Sequence, residues 1–492
     1  MSTAASEEPL LRTEPQPSQN RDDASPRPEK GRFDRFQLLL VLLIQVAEPI
    51  TATVIFPFVN QFVRETGITD GDERKTGYYA GMIESLFFVT EALTVYHWGV
   101  ASDAYGRKPI LLIGLLMLVF STLGFGLSRT FWAMMIFRAL QGITNGNIGV
   151  TKSIMAEISD PSTITYVFST MSIMWATGTT VGPVMGGLLA RPAERWPPVF
   201  ASSFWYKYPY FLPCAAAALV VLLTVCISSI CLKETNPTIL KKRAHLRQST
   251  YRDSEYDVDT AGYGTLNSAP STVEPVDAQP TERLMTTRTM IPIANIGFLA
   301  FVQQCISVLN PLVFSTSIEY GGLGMDPYEI GTILGIWGVA NGFIQLFVSH
   351  RLIEKLGART AYKLAFANQV TLLVCLAAIG ILVPSRGVDT LIKSLLVFYL
   401  CLVTFTSIGY ASIYVFIIDS ASDSTLGSIN GLSQMVASIM RALAPTIASS
   451  LYSVSLQQRY FLGGTMVYWI LIGITISGIY MSTKLPTQLY RS

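Results

Sequence analysis

Twelve stretches of mostly apolar residues run along this chain, each about as long as a helix that crosses a lipid bilayer. They cover residues 36–59, 78–98, 110–127, 131–152, 167–190, 210–232, 292–316, 328–349, 361–384, 393–418, 428–452 and 461–483. Only 14% of the 492 residues are charged, whereas about a quarter are charged in soluble domains. We therefore expect an all-α, multi-pass membrane protein with twelve transmembrane helices.

A polar segment separates the sixth stretch from the seventh. Residues 233–291 are rich in Ser, Thr, Pro and charge, a composition that buries too little apolar surface to order itself. We predict a disordered cytosolic linker there, between six-helix bundles at 36–232 and 292–483, with cytosolic tails at 1–35 and 484–492. Two bundles of nearly equal length indicate a duplicated fold with pseudo-symmetric halves.

The positions of Lys and Arg predict the orientation, because cytosolic loops of membrane proteins are enriched in both. With the N-terminus in the cytosol, 21 of them fall in cytosolic segments and ten in outer loops. Both termini are therefore expected on the cytosolic side.

Several classes of protein do not fit the sequence. The net charge of +2 argues against a nucleic-acid binder. The six cysteines lie in apolar stretches without a CxxC spacing, so we expect no disulfide framework and no metal site. There is no phosphate-binding G-x4-GK[ST] loop, and the three histidines lie at span edges or in the linker. We expect no cofactor, no catalytic residues and no enzyme activity.

Three motifs carry the strongest signals. The first follows the second stretch and places Gly99, Asp103, Gly106, Arg107 and Lys108 in a short cytosolic loop. Glycine permits a tight turn, and Asp103 can pair with Arg107 or cap a neighbouring helix. Such contacts form a conformational latch, which is made in one state and released in another.

The other two motifs lie inside spans. In the fourth stretch, Arg138 begins the run R-A-L-Q-G, and an intramembrane arginine usually faces a partner or an aqueous cavity. The fifth stretch carries G-T-T-V-G-P-V-M-G-G, in which small residues let helices approach closely and proline kinks the helix. Its motif residues are Gly178, Gly182, Pro183, Gly186 and Gly187.

These runs resemble motifs A, B and C of the major facilitator superfamily, and a degenerate copy of motif A lies at 350–359. Together with Ala47-Glu48-Pro49-Ile50 they look like the drug:proton antiporter group, similar to fungal and plant zinc-induced facilitator-like transporters. The resemblance implies the major facilitator fold, with motif C typical of antiporters and the motif A latch holding the outward-open state.

Three acids lie inside spans, and each is expensive there if it is ionised and unpaired. Counting about 1.5 Å per residue from the outer end, Glu48 lies ~16 Å deep, near the midplane. Glu84 and Arg138 match in depth, and Glu91 follows one heptad later on the same face. We predict that Glu48 carries a proton and that Glu84, Glu91 and Arg138 contribute to coupling. A fixed structural pair between Glu84 and Arg138 is the alternative, as is a packing role for Glu91.

The substrate cavity is expected between the halves at mid-depth. Polar and aromatic residues of several spans are the candidates to line it: Asn145, Trp175, Gln304, Asn310, Trp337, Asn341, Gln345, Tyr410 and Tyr414. Core packing is the alternative for each aromatic residue. As a set they predict an amphipathic cavity for a small organic molecule.

The favoured function is proton-coupled export of a small organic solute, such as a drug, a secondary metabolite or a metal chelate, by a monomer in the lipid bilayer. An uncoupled or proton-symport uptake facilitator and a solute-sensing membrane receptor are the alternatives. Glu7-Glu8-Pro9-Leu10-Leu11 resembles an acidic dileucine sorting signal, which favours the vacuolar membrane, and the plasma membrane is the alternative.

Overall fold

The computed structural model describes residues 35–159, 164–236, 239–240, 286–420, 426–458 and 462–487, and the regular structure in this part of the chain is helical, with short 3-10 and π segments beside the α-helices. The first half contains α1 (Arg35–Thr53), α2 (Val59–Glu65), α3 (Thr76–Tyr105), α4 (Arg107–Gly126), α5 (Phe131–Asn145), α6 (Asn147–Glu157), α7 (Ile164–Leu189), α8 (Pro192–Arg195), α9 (Ser203–Lys207) and α10 (Phe211–Cys231). The second half contains α11 (Thr287–Ser315), α12 (Pro327–Ile344), α13 (His350–Leu356), α14 (Ala358–Arg386), α15 (Thr390–Val403), α16 (Ser407–Ser420), α17 (Leu426–Gln457) and α18 (Met466–Thr483).

Each of the twelve apolar stretches falls on a helix or on consecutive helices in the described residues. Seven helical segments are long and apolar enough to cross a membrane by these two criteria alone. The first, fourth and tenth stretches are each broken into two helices. Broken backbone inside a membrane is stable only where protein groups or an aqueous cavity satisfy its hydrogen bonds, so these breaks direct attention to the centre of the molecule.

A polar layer divides the core of the first half. One apolar cluster contains Ala47 and Val150, and a second contains Ile50 and Met134. Glu48 in α1 and the segment from Arg138 to Asn147 fall between the two clusters along their helices. Buried polar groups require hydrogen-bond partners, so this layer is where specific side-chain contacts are expected.

The two halves contact each other at the end of the helices that is predicted to face outside. α3 packs against α17, where a Cβ added to Gly81 would lie 1.7 Å from Ser449 Oγ and 2.8 Å from the Pro445 carbonyl oxygen. α7 packs against α12, where a Cβ on Gly187 would lie 2.7 Å from the Cα of Gly331. Glycine therefore allows the backbones to meet, and the outer end is closed.

The ends of the predicted linker are ordered. Residues 233–236 lie against the first bundle, and α11 begins at Thr287, five residues before the predicted start of the second bundle at 292. Expecting disorder from 233 to 291 was therefore wrong at both ends, because Glu234 and Asn236 find backbone partners at the end of α3 and the start of α4. Residues 1–34 and 241–285, with the dileucine-like signal, lie outside the described residues.

Candidate functional site at the interface of the two halves

Glu48 is buried near the middle of the first span, beside the break between α5 and α6. Asn145, the last residue of α5, donates from Nδ2 to Glu48 Oε1 at 2.9 Å. Gly146 forms the break, and the Ile143 carbonyl accepts from Trp98 Nε1 at 2.6 Å and from Thr94 Oγ1 at 3.1 Å. The broken span is thus held to α3 while it presents an amide to a buried carboxyl.

Glu91 lies near the same site. Its carboxyl is within electrostatic range of Glu48, Arg441 and Lys152, and it makes no salt bridge with another described residue. Glu91, Lys152 and Arg441 are each partly exposed, so accessible space lies between the halves at this level. The cluster is a neutral set of two acids and two bases, in which the charge state of each acid depends on the other.

Arg138 is almost fully buried, with an exposed fraction of 1%. Its Nη1 donates to Gln141 Oε1 at 2.8 Å, its Nη2 donates to the Ala52 carbonyl at 3.2 Å, and its guanidinium lies 4.4 Å from the centre of the Phe87 ring. The break after α1 releases the Ala52 carbonyl, because the Phe56 amide bonds to Thr53 instead. Arg138 therefore joins α5 to the broken end of α1.

Glu84 lies near Arg138 without a direct ion pair among the described residues. The two charges interact, yet Glu84 Oε2 and Arg138 Nε are both buried without a hydrogen-bond partner in the described part of the chain. A buried polar atom left unpaired typically costs about 1–3 kcal/mol. The pair is therefore close in space and incompletely satisfied in this conformation.

A small polar cavity of about 10 Å³ adjoins Glu48. Asn145, Asn147, Thr144 and Thr151 line it together with apolar residues of α1 and α4. A space of this size has room for about one water molecule, so the Glu48 carboxyl borders a site that suits a single hydrogen-bonding molecule.

The motif A segment is a sharp helical corner rather than the short loop that we predicted. α3 continues to Tyr105 and α4 begins at Arg107, leaving only Gly106, whose φ of +109° suits glycine. Arg107 pairs with Asp103 at 2.6 Å and with Glu157 at 2.9 Å. These partners all lie in the first half, so both ion pairs form within one bundle.

Glu234 closes this corner, and sequence reasoning did not identify it. Its carboxylate accepts from the backbone amides of Arg107 at 2.9 Å and Lys108 at 3.2 Å, which caps the start of α4. Gly99 lies inside α3 with open space around its Cα. In the second half Gly357 forms a similar corner between α13 and α14, with φ +76°, so the degenerate copy retains the turn.

Motif C makes α7 a packing surface for both halves. A Cβ added to one of these glycines would lie 2.0–2.3 Å from an atom of the first span. Gly178 faces Pro49 there, Gly182 faces Thr53, and Gly186 faces Val54. Gly187 and the Pro183 carbonyl face Gly331 in α12. The same helix therefore contacts the Glu48 region on one side and the opposite half on the other.

Comparison with known proteins agrees with this architecture. The family model described as Major Facilitator Superfamily matches residues 41–445. The chain belongs to the major facilitator superfamily. It is 29% identical to the "Major facilitator superfamily multidrug transporter mfsB" of Aspergillus fumigatus, over 94% of this chain and 86% of that protein. It is also 29% identical to "Protein ZINC INDUCED FACILITATOR 1" of Arabidopsis thaliana, over 92% of each chain.

Solved structures show the same fold. The structure of a D-xylose-proton symporter superimposes with a TM-score of 0.68 at 14% identity, covering 93% of this chain and 99% of that one. The resemblance to the superfamily and to zinc-induced facilitators is thus confirmed, as is the all-α major facilitator fold. The protein is a multi-pass membrane transporter and not an enzyme.

The predicted lining residues of this major facilitator protein divide into two groups. Tyr410 and Tyr414 in α16 interact with Arg441 beside the central cluster, and Gln434 donates to the Tyr414 hydroxyl. Asn310 instead accepts from the Tyr399 hydroxyl inside the second bundle, among apolar core residues. Its expected role at the cavity therefore has no support in its contacts.

The remaining candidates are partly exposed along α7, α11 and α12. Trp175 is among the exposed aromatic residues, and Gln304 and Gln345 are partly exposed. Trp337 Nε1 and Asn341 Oδ1 have no hydrogen-bond partner among the described residues. Both atoms are buried, and their residues lie one turn apart in α12.

Lys152 and Arg441 also belong to this site, although neither was among the predicted site residues. A charge inside a membrane helix was the signal that identified Arg138, and the same signal applies to Arg441. It lies at the middle of α17 and is that helix's one charged residue.

Proposed function

We propose that this transporter exports a small organic solute in exchange for protons. The observation that carries the proposal is the buried Glu48 carboxyl, which accepts from Asn145 in the centre of the molecule and has Glu91 within electrostatic range. Two interacting carboxyls in a membrane interior favour retaining one proton, because two adjacent negative charges are costly there. The name of the Aspergillus relative, a multidrug transporter, is in keeping with export.

The mechanism follows from which ends of the helices meet. In the closed-outside arrangement the central acids are reached from the cytosolic side, where solute binding and proton release to the cytosol take place. Rocking of the two halves about the centre opens the outer end, and protons from outside then load Glu48 and Glu91 and release the solute. Glu84 and Arg138 reorganise during this movement, since they join α3 and α5 to the broken end of α1.

Motif residues supply the mechanical parts of this cycle. The glycines and proline of motif C let α7 slide against the first span and α12. Arg107, Asp103 and Lys108 form the latch, which in the outward-open state reaches the second half. The proposed direction is export, and the cargo class includes drugs, secondary metabolites and metal chelates.

Solute retention in living cells tests this function. Metabolites retained by cells with and without the protein are compared at two external pH values. Proton-driven export predicts a stronger depletion of the cargo at the lower pH. Glu48→Gln should abolish this pH dependence while the protein remains in the membrane, and Glu194→Gln, which changes an exposed outer acid, serves as the matched control. Full coupling in Glu48→Gln contradicts the proposal.

The same measurement separates the alternatives. An uncoupled facilitator brings the solute to equal concentrations inside and outside the cell regardless of the pH gradient. A symporter raises the cellular content of the solute at low external pH. A solute-sensing receptor leaves the cellular content unchanged at both pH values. We further propose that the protein acts as a monomer in the plasma or vacuolar membrane. Light scattering of the purified protein and the location of a fluorescent fusion test these two points.

A further inference from the structure

The charges around the central space are divided unevenly between the halves. The first half contributes Glu48 and Glu91, together with Lys152, and is net acidic. The second half contributes Arg441, the one charged residue of α17. The hydroxyl groups of Tyr410 and Tyr414 lie within electrostatic range of that guanidinium. A carboxylate or phosphate is recognised by such a set of donors, whereas the opposite wall suits a cation.

The Glu91–Arg441 pair lies directly beneath the outer closure. α3 and α17 run antiparallel, and their outer halves are joined where the Thr446 amide donates to Ser85 Oγ at 3.0 Å. Glu91 follows Ser85 by six residues, or ~9 Å, toward the cytosolic end. Arg441 Nε donates to the Ala437 carbonyl at 3.3 Å, so its side chain bends toward the same level. The two charges therefore lie at one level, where the halves begin to separate.

Pro445 interrupts the backbone hydrogen bonds of α17 beside Arg441. It cannot supply the amide hydrogen that the Arg441 carbonyl would receive in an uninterrupted helix. The helix is thus weakened beside Arg441, at the point where α17 passes from tight contact with α3 to accessible space. A group inserted between Glu91 and Arg441 would be held by both halves at once.

We propose that the cargo is a zwitterion that lies across this space, with its cationic group at Glu91 and its anionic group at Arg441, Tyr410 and Tyr414. This inference rests on the proposed proton-coupled export. A purely cationic solute leaves Arg441 without compensation, and a purely anionic one leaves Glu91 without it. Unpaired charge in a desolvated site is strongly unfavourable, so a dipolar solute alone satisfies both walls.

The arrangement also explains how export would couple to protons. The cationic group of the cargo and an incoming proton compete for the same Glu91 carboxylate, so loading protons from outside displaces the cargo. An anionic solute would instead bind best when Glu91 is protonated and Arg441 is free, which gives symport. Exchange of protons for cargo therefore requires a cationic group, and Arg441 requires the anionic one.

Three molecules with one phenylethyl skeleton test the proposal: phenethylamine, 3-phenylpropionate and phenylalanine. The ligand-dependent rise in thermal stability of the purified full-length protein gives an apparent affinity for each. Phenylalanine is expected to bind about tenfold more tightly than either singly charged analogue, since each charge-assisted contact contributes about that factor. Arg441→Gln should remove the advantage over phenethylamine, and Glu91→Gln the advantage over 3-phenylpropionate.

The control is Lys393→Gln, which removes a cation from an exposed position at the outer end of α15 and should leave all three affinities unchanged. The proposal is overturned if phenylalanine stabilises the wild type no more than its analogues do, or if Arg441→Gln weakens phenethylamine and phenylalanine equally. The binding measurement needs no gradient. If phenylalanine binds selectively but export does not depend on pH, proton coupling is refuted and the dipolar site stands. If export depends on pH but phenylalanine does not bind selectively, the dipolar site is refuted and proton coupling stands.

Discussion

Asn145 donates a hydrogen bond of 2.9 Å to Glu48 from the last residue of α5, where the fourth span is broken. One neutral side chain thus joins the first span to the fourth. Because a helix ends at Asn145, the amide reaches the centre of the bundle from a backbone that is itself irregular.

The first prediction concerns this amide. Asn145→Ala should lower the free energy of unfolding by about 1–3 kcal/mol, since buried Glu48 loses its donor. The effect should be smaller in a Glu48→Gln background, because the two side chains interact. Thermal unfolding of the four proteins in detergent measures the coupling. Asn368→Ala, which removes a hydrogen bond to the Leu402 carbonyl in the second half, provides the control, and strictly additive effects of Asn145 and Glu48 would refute the coupling.

The second prediction concerns closure of the outer end. Gly81→Ala places a methyl group against Ser449 and the Pro445 carbonyl, so the halves should separate there and the outward-open population should rise. Accessibility of an engineered outer cysteine to a membrane-impermeant reagent measures the shift. Gly431→Ala in α17 is the matched control, because nothing lies within 4 Å of its added Cβ. Equal accessibility in both variants would contradict the role of Gly81.

A third prediction concerns a polar contact that closes the outer loops. Glu73 accepts from Arg64 Nη1 at 3.0 Å and from the Ser317 amide at 3.0 Å, while Arg64 Nη2 donates to the Ser315 carbonyl at 3.2 Å. Glu73→Gln should weaken closure by about 1–3 kcal/mol, since charge-assisted hydrogen bonds between the halves are lost.

Spin labels at Tyr206 and Ile318, on exposed outer loops of opposite halves, report this change as a longer distance population. Asp70→Asn removes one acid from the same loop and should leave the label distances unaltered. Asp70 is exposed, and its contact with Lys75 is a long one of 3.9 Å. If Asp70→Asn opens the outer end as much as Glu73→Gln does, loop charge rather than the Glu73 contact is responsible.

The fourth prediction concerns the cap supplied by the start of the linker. Glu234→Ala should destabilise the first half by about 1 kcal/mol, the usual cost of losing a helix cap. Proteolysis near Gly106 should increase with it, since Glu234 covers that corner. Glu194→Ala, which breaks an exposed ion pair of little energetic weight, serves for comparison. Identical protease sensitivity in the two variants would refute a capping role.

The fifth prediction concerns sorting. If the dileucine-like run directs the protein to the vacuole, Leu10→Ala combined with Leu11→Ala should move a fluorescent fusion to the plasma membrane. Changing Pro15 and Pro17 to Ala in the same tail is the control and should leave the location unchanged. If the leucine variant also stays in place, the run is not a vacuolar sorting signal.

Much of the fold follows from the sequence, because membrane helices are encoded by long apolar stretches that need no distant partner. The positions of the spans and the glycine-rich face of α7 were predicted in this way, whereas the break in the fourth span at Gly146 was not. The helical corner at Gly106 was not, since a helix boundary depends on the Glu234 carboxylate, which lies 128 positions away.

The sequence by itself determined that the chain crosses a membrane and that Glu48, Glu84, Glu91 and Arg138 are the costly charges within it. Only the tertiary structure decided their partners. Glu91 comes within electrostatic range of Arg441 because small residues at Gly81 and Ser449 allow α3 and α17 to pack closely, although the two charges are 350 residues apart in the sequence. The cost of a charge in lipid is local and can be read residue by residue, whereas its compensation depends on how distant helices pack.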